Sequence, residues 1–234
     1  MKPYVAILCP MRVDLPAAIV TKQFELLGNM VAYNSSVDIH THVCVDTWPE
    51  LPPGGKHRDR AISIAEVRQA YIARIHGWAT PPSHVLWMDA DIIGYKPDLC
   101  ERLLLASTAF HSVVAPCVFL DGAERGKCQT HRWYDTAGFV YNNHTAQTLF
   151  PWFPISGPWW ENTLVELNGS VGCVYIVPWT VFNTGGKYTA PDDLRFTEHY
   201  PVCQHAIRMG YKLLVDLQQT VFHAYLPDFG IKFH

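Results

Sequence analysis

The sequence predicts an α/β domain on a mostly parallel central sheet, with a mixed second half. Three observations carry that expectation. Short apolar runs alternate with helix-period segments from Tyr4 to Leu120, the pattern of strands joined by helical crossovers. One run, Val85-Leu86-Trp87-Met88, is apolar at every position, as a strand covered on both faces is. Beyond Leu120 the alternation gives way to a loop-rich, aromatic stretch and then to further short apolar runs.

Taken in order, residues 4–9 read as a first strand that enters a loop at Pro10-Met11-Arg12. Residues 17–33 have helical spacing, with Ile19, Phe24, Leu27 and Met30 among the apolar positions. Residues 37–45 form a second strand ending at Asp46, and the proline and glycine content of residues 48–55 makes a loop. Residues 60–78 are a long helix, and Pro81-Pro82 breaks the chain before the Val85 strand. Pro97 suits the first turn of a helix over 97–107, and 113–120 is another strand. Farther on, 163–177 reads as two short strands around Asn168-Gly169, and 197–209 as a helix capped by Gly210. Residues 212–216 and 220–224 read as final strands.

At 234 residues the chain suits one domain with a substantial core, and 49% hydrophobic against 17% charged residues excludes disorder. A net charge of −3 gives no electrostatic footprint for nucleic acid, so none is expected as a partner. The seven cysteines form no Cys-x-x-Cys pair, and the first apolar run, residues 5–9, is too short for a signal or a membrane span. The expectation is a cytoplasmic protein with free thiols and no membrane span.

Asp89 and Asp91 end the Val85 run one residue apart. Paired carboxylates at a strand end are either solvated caps or hard oxygen ligands for Mg²⁺ or Mn²⁺, with phosphate oxygens completing the shell. Ligands of open α/β sheets bind beyond the carboxyl ends of the strands, and three such ends are legible: Pro10 to Arg12, Asp46, and Asp89 to Asp91. Asp46 suits the base and ribose of a nucleotide, and Arg12 its base or phosphates. Arg60 and Arg68 share a helix face on which they either meet solvent, support a phosphate or hold the Asp pair. Glu198, after Thr197 as a candidate N-cap, is either first-turn helix chemistry or a general base. His223 lies in a strand-like run, as a structural histidine or a nitrogen ligand. Gly169 to Gly172 form a tight turn or a close approach of backbone to substrate.

Together these residues resemble a GT-A glycosyltransferase, and more closely the Anp/Mnn-type mannosyltransferases of glycosyltransferase family 62. The likeness runs through Arg58-Asp59-Arg60-Ala61, Val67-Arg68-Gln69 and His84-Val85-Leu86-Trp87-Met88-Asp89-Ala90-Asp91-Ile92. It continues in Val165-Glu166-Leu167-Asn168-Gly169, in Thr197-Glu198-His199-Tyr200 and in Val221-Phe222-His223-Ala224-Tyr225. Gln69 stands where that family has Asn, Asn168 where it has Asp, and Cys173 where it has a second Gly. The resemblance implies a single Rossmann-like GT-A domain, with residues 1–120 binding the nucleotide sugar and 121–234 the acceptor.

It further implies a metal-dependent hexosyl- or pentosyltransferase that moves a sugar from a UDP or GDP donor to a glycan hydroxyl. Asp89, Asp91 and His223 would bind Mn²⁺ (or Mg²⁺). Pro10, Arg12, Asp46, Arg60, Arg68, Asp89, Ala90 and Asp91 would contact the donor, with Glu198 and Asp91 catalytic. Two other classes compete. An Asp-x-Asp phosphohydrolase normally carries its motif on the first strand with Thr or Val two residues on, where this chain has Ile93 on the third. A non-catalytic sugar-binding module would use the aromatics of residues 152–160 as its platform.

Overall fold

The computed structural model describes residues 2–12, 14–46, 57–120, 132–133, 139–141, 144–145, 164–193 and 196–224. The first half runs β1 (Tyr4–Arg12), α1 (Ala17–Tyr33), β2 (Asp38–Asp46), α2 (His57–His76), β3 (His84–Met88), β4 (Ile92–Gly94), α3 (Leu99–Phe110) and β5 (Ser112–Leu120). The second half adds β6 (Arg132–Trp133), β7 (Val140–Tyr141), β8 (His144–Thr145), β9 (Leu164–Leu167) and β10 (Val174–Pro178). It closes with α4 (Trp179–Asn183), α5 (His199–Arg208) and β11 (Lys212–His223). The main sheet follows the order β2-β1-β3-β10-β5-β11-β4. The chain is thus a mixed α/β domain around one open sheet, as the alternation of elements predicts.

Strand β1 pairs in parallel with β2 on one side and β3 on the other, the arrangement that helical crossovers impose. Val85, Leu86, Trp87 and Met88 on β3 are all fully buried, which accounts for the unbroken apolar run. Helix α1 buries Ile19, Gln23, Leu27 and Met30, one stripe at helical spacing. Phe24, one of its apolar positions, instead points outward and is half exposed, while Gln23 turns in and donates its amide to Cys9 Sγ at 3.5 Å.

Four features of the sheet correct or extend the sequence reading. First, β1 does not end at Cys9 but continues through Pro10 to Arg12, in register with Cys44 to Asp46 of β2. The missing N–H of Pro10 is tolerated because β3 pairs with β1 only as far as Leu8. Second, β5 does not neighbour β3: β10 from the second half is inserted antiparallel between them. Third, β9 and β10 do not pair with each other; β9 lies antiparallel on β11. Fourth, the two final strands are one, β11, whose register to β5 shifts between Asp216 and Thr220. The shift falls opposite Pro116, which has no N–H to give to the ladder. It delivers the last residues of β11, with His223, to an antiparallel pairing with β4.

Five cysteines among the described residues, at positions 9, 100, 117, 173 and 203, are free and buried. No helix among the described residues is long and apolar enough to cross a membrane.

Candidate active site

Asp89, Ala90 and Asp91 do not lie on a strand. β3 stops at Met88, and the three residues form the turn into β4, closed by the Ile92 N–H donating to the Asp89 carbonyl at 3.2 Å. The two carboxylates take different partners from this turn. The Asp89 N–H donates to the Cys173 carbonyl at 3.2 Å, which fastens the turn to the residue before β10. Cys173 itself adopts φ +58°, the left-handed conformation that favours glycine. Ala90 is buried against Cys9 and Met11 of β1.

Asp91 meets His223. His223 Nε2 lies 3.0 Å from Asp91 Oδ1, and the Ala224 N–H donates to the Asp91 carbonyl at 2.8 Å. The other ring nitrogen, Nδ1, donates to the Ala224 carbonyl at 2.9 Å, which orients the imidazole with Nε2 toward the carboxylate. Burial disfavours the imidazolium, but Asp91 outweighs it and raises the His223 pKa above its ordinary value.

Asp89 has other partners. Its Oδ1 accepts from Arg68 Nη2 at 2.9 Å and from the Trp87 indole N–H at 3.3 Å. Arg68 is 4% exposed, lies 4.3 Å over the Trp87 ring, and donates through Nε to Glu198 Oε1 at 2.9 Å. Burial alone would lower the Arg68 pKa; Asp89 and Glu198 reverse that and hold the guanidinium charged. Its third nitrogen, Nη1, is buried with no hydrogen-bond partner among the described residues. Asp89 and Asp91 keep side-chain exposures of 25% and 21%, so both carboxylates reach the surface of the site.

Glu198 is placed at the N-terminal boundary of α5, but neither it nor Thr197 caps that helix through a side chain. The expectation of Thr197 as N-cap is therefore corrected: its hydroxyl is buried without a partner among the described residues, and its carbonyl accepts from Tyr200 N–H instead. The Glu198 carboxylate is drawn away by Arg68. It is 5% exposed, and although burial opposes its ionisation, the charged Arg68 guanidinium overrides this and lowers its pKa. His199 Nε2 stands 3.4 Å from Glu198 Oε1, and Nδ1 faces the Tyr175 hydroxyl at 3.0 Å. Burial lowers the His199 pKa to about 3, so the ring is neutral at neutral pH. The tautomer that fits these contacts has Tyr175 donating to Nδ1 and the ring proton on Nε2, on the Glu198 side.

Among the predicted site residues, the structure brings together Arg68 with Asp89 and Glu198, and Asp91 with His223. The trio of Asp89, Asp91 and His223 is not assembled: among the described residues no group of three His, Cys, Asp or Glu side chains converges as a metal shell. Arg12 and Asp46 end adjacent strands in register with each other, so their backbones flank the same sheet edge. The side chains of Arg12, Asp46 and Arg60 lie outside the described set, as do residues 152–160. Pro10 is buried inside β1. Gly169 makes its close approach to Val140, where a Cβ would stand 2.3 Å from Cγ1, so protein and not substrate accounts for this glycine. Trp87, Tyr175, Tyr188, His199 and Gln69 were not predicted as site residues. Aromatic residues in strand-like runs read as core, and only the Glu198-His199 adjacency carried any local signal.

No family model and no curated protein matches the chain. Among solved structures it is similar to TarS of S. aureus, residues 1–349, at 12% identity over 98% of this chain and 62% of that one, with a TM-score of 0.47. It is also similar to GalNAc-T7 with UDP, GalNAc and Mn²⁺, at 11% identity over 95% of this chain and 43% of that one, TM-score 0.45. A third likeness is to CMP:2-keto-3-deoxy-manno-octonic acid synthetase complexed with CTP, at 13% identity over 96% and 90%, TM-score 0.41. TarS and GalNAc-T7 are both longer than this chain. The chain spans less than two thirds of their length. At such identities and scores these likenesses assign no activity or ligand to it.

Proposed function

We propose that this chain is a metal-dependent glycosyltransferase that moves a sugar from a nucleoside diphosphate donor to a glycan hydroxyl. The observation that carries the reading is the Asp91–His223 pair at the carboxyl end of the sheet, 3.0 Å from carboxylate oxygen to imidazole nitrogen. Two donor atoms at right angles about an octahedral cation, each about 2.1 Å from it, stand about 3.0 Å apart. The donor set, one carboxylate and one imidazole held by a backbone carbonyl, suits Mn²⁺ or Mg²⁺.

When bound, the cation would offset the negative charge that develops on the departing diphosphate. The protein's part is positioning. Asp91 and His223 fix one edge of the coordination shell. Asp89 commits Oδ1 to Arg68 and Trp87, and its second oxygen would join the cation only once the ion and its diphosphate are bound. Arg68 Nη1, buried without a described partner, is a donor that an anionic oxygen would satisfy. The strand ends at Arg12 and Asp46 flank the region a nucleoside would occupy. Arg60, on α2 with Arg68, would serve the phosphates. The family-62 resemblance favours a GDP or UDP hexose or pentose as donor.

Calorimetric titration of UDP- and GDP-sugars with and without Mn²⁺ tests the reading. One donor is expected to bind only with the cation, and Asp91→Ala is expected to abolish both that binding and transfer. If no nucleotide sugar binds in the presence of Mn²⁺, the proposal fails.

A further inference from the structure

Glu198 looks from sequence like a base for the acceptor, yet its geometry is that of a strut. The Arg68 guanidinium donates from Nε to Glu198 Oε1 and from Nη2 to Asp89 Oδ1, each at 2.9 Å, across 130 positions of sequence on one side and 21 on the other. A guanidinium is a rigid plane, so the carboxylate that fixes Nε also fixes where Nη2 points. Trp87 completes the mount by lying under the guanidinium and donating to the same Asp89 oxygen.

Beside Glu198 lies a buried polar chain that ends on the neighbour of Arg68. His199 Nε2 stands 3.4 Å from the Glu198 carboxylate, and hydrogen bonds run on from His199 Nδ1 to the Tyr175 hydroxyl at 3.0 Å and from there to the Tyr188 hydroxyl at 2.6 Å. The Tyr188 backbone N–H then donates to Gln69 Oε1 at 3.1 Å. Arg68, Glu198, His199, Tyr175 and Tyr188 are all buried, so the hydrogen bonds among them are shielded from water. A base for an acceptor hydroxyl needs a carboxylate lobe within hydrogen-bond reach of that hydroxyl. Glu198 is 5% exposed and commits Oε1 to Arg68 instead.

We propose that Glu198 is a positioning residue, which through Arg68 holds Asp89 in the orientation that receives the donor's metal-bound diphosphate. This rests on the transferase reading above. It assigns α5 a part in donor binding, so that the acceptor-side half of the chain sets the geometry of the Asp89 turn.

The test compares the intact chain with Glu198→Gln and Glu198→Ala, titrated with Mn²⁺ alone and then with GDP and UDP in Mn²⁺, alongside turnover. Glu198→Gln keeps an oxygen for the Arg68 Nε–H and is expected to hold nucleotide affinity within about threefold. Glu198→Ala is expected to lose about 10–100-fold in nucleotide affinity, as removal of an outer support for a metal ligand does. Loss of turnover by about 10²–10⁴-fold in both variants, with nucleotide affinity unchanged, is the signature of a base and overturns the proposal. If Glu198→Ala does not fold, Glu198→Asp carries the same test, since the shorter carboxylate draws back from the Arg68 Nε–H: weaker nucleotide binding supports the strut, and unchanged binding overturns it. If the unaltered chain binds neither nucleotide with Mn²⁺, the transferase reading falls and takes this inference with it. Normal binding there, unchanged in Glu198→Ala, sinks the inference alone.

Discussion

His223 reaches Asp91 with side chain and main chain at once: Nε2 stands 3.0 Å from Oδ1, and the N–H of the next residue donates to the Asp91 carbonyl at 2.8 Å. The strand end therefore fixes both the position of Asp91 and the nitrogen beside it. His223→Ala is expected to weaken Mn²⁺ binding by at least about tenfold and to remove the cation's effect on nucleotide affinity. Calorimetry with Mn²⁺ alone checks this, and an unchanged affinity removes His223 from the site.

Arg68 neutralises two carboxylates, one of them buried. Arg68→Met fills much of the same space but strands Glu198 as an uncompensated buried charge, and is expected to cost about 3–5 kcal/mol of stability. Arg68→Lys keeps the charge without the fork and should fall between that variant and the parent. Urea unfolding measures both; a Met variant as stable as the parent contradicts the role given to this ion pair.

Cys173 holds a left-handed backbone at φ +58° and supplies the carbonyl that fastens the Asp89 turn. A β-branched side chain tolerates that conformation poorly, so Cys173→Val is expected to destabilise by about 1–3 kcal/mol. Cys173→Gly relieves the backbone at the expense of a small buried side chain and should be the milder change. Denaturant midpoints of the pair give the order, and a Val variant milder than the Gly variant reverses the reasoning.

Stability should fall on the acid side. Burial lowers His84 to about 4 and His199 to about 3, whereas both titrate near 6.5 in an unfolded chain. The unfolded state then binds protons first, so the contribution of neutral histidine is whole above about pH 6.5 and is lost as pH drops toward 4. Unfolding free energies measured from pH 7.5 to 4 should decline through that window. His84→Gln should flatten the decline; a slope as steep as the parent's would exonerate His84.

The sequence by itself determined the local parts. The apolar run 85–88 read as a strand covered on both sides, the helical stripe of Ile19, Leu27 and Met30 made α1, and Asp89 and Asp91 marked a strand end. These are readable because burial periodicity and turn chemistry act over a few residues. Tertiary structure alone decided which carboxylate meets which partner. Asp89 and Asp91 take different partners from one turn, and β10 enters between β3 and β5 from the far half of the chain. The offset in β11 opposite Pro116 aligns His223 with β4. The same long-range packing turned Glu198 from its helix end toward Arg68, 130 residues earlier. A buried guanidinium has to find carboxylates wherever the fold brings them, and no local pattern in the chain encodes that choice.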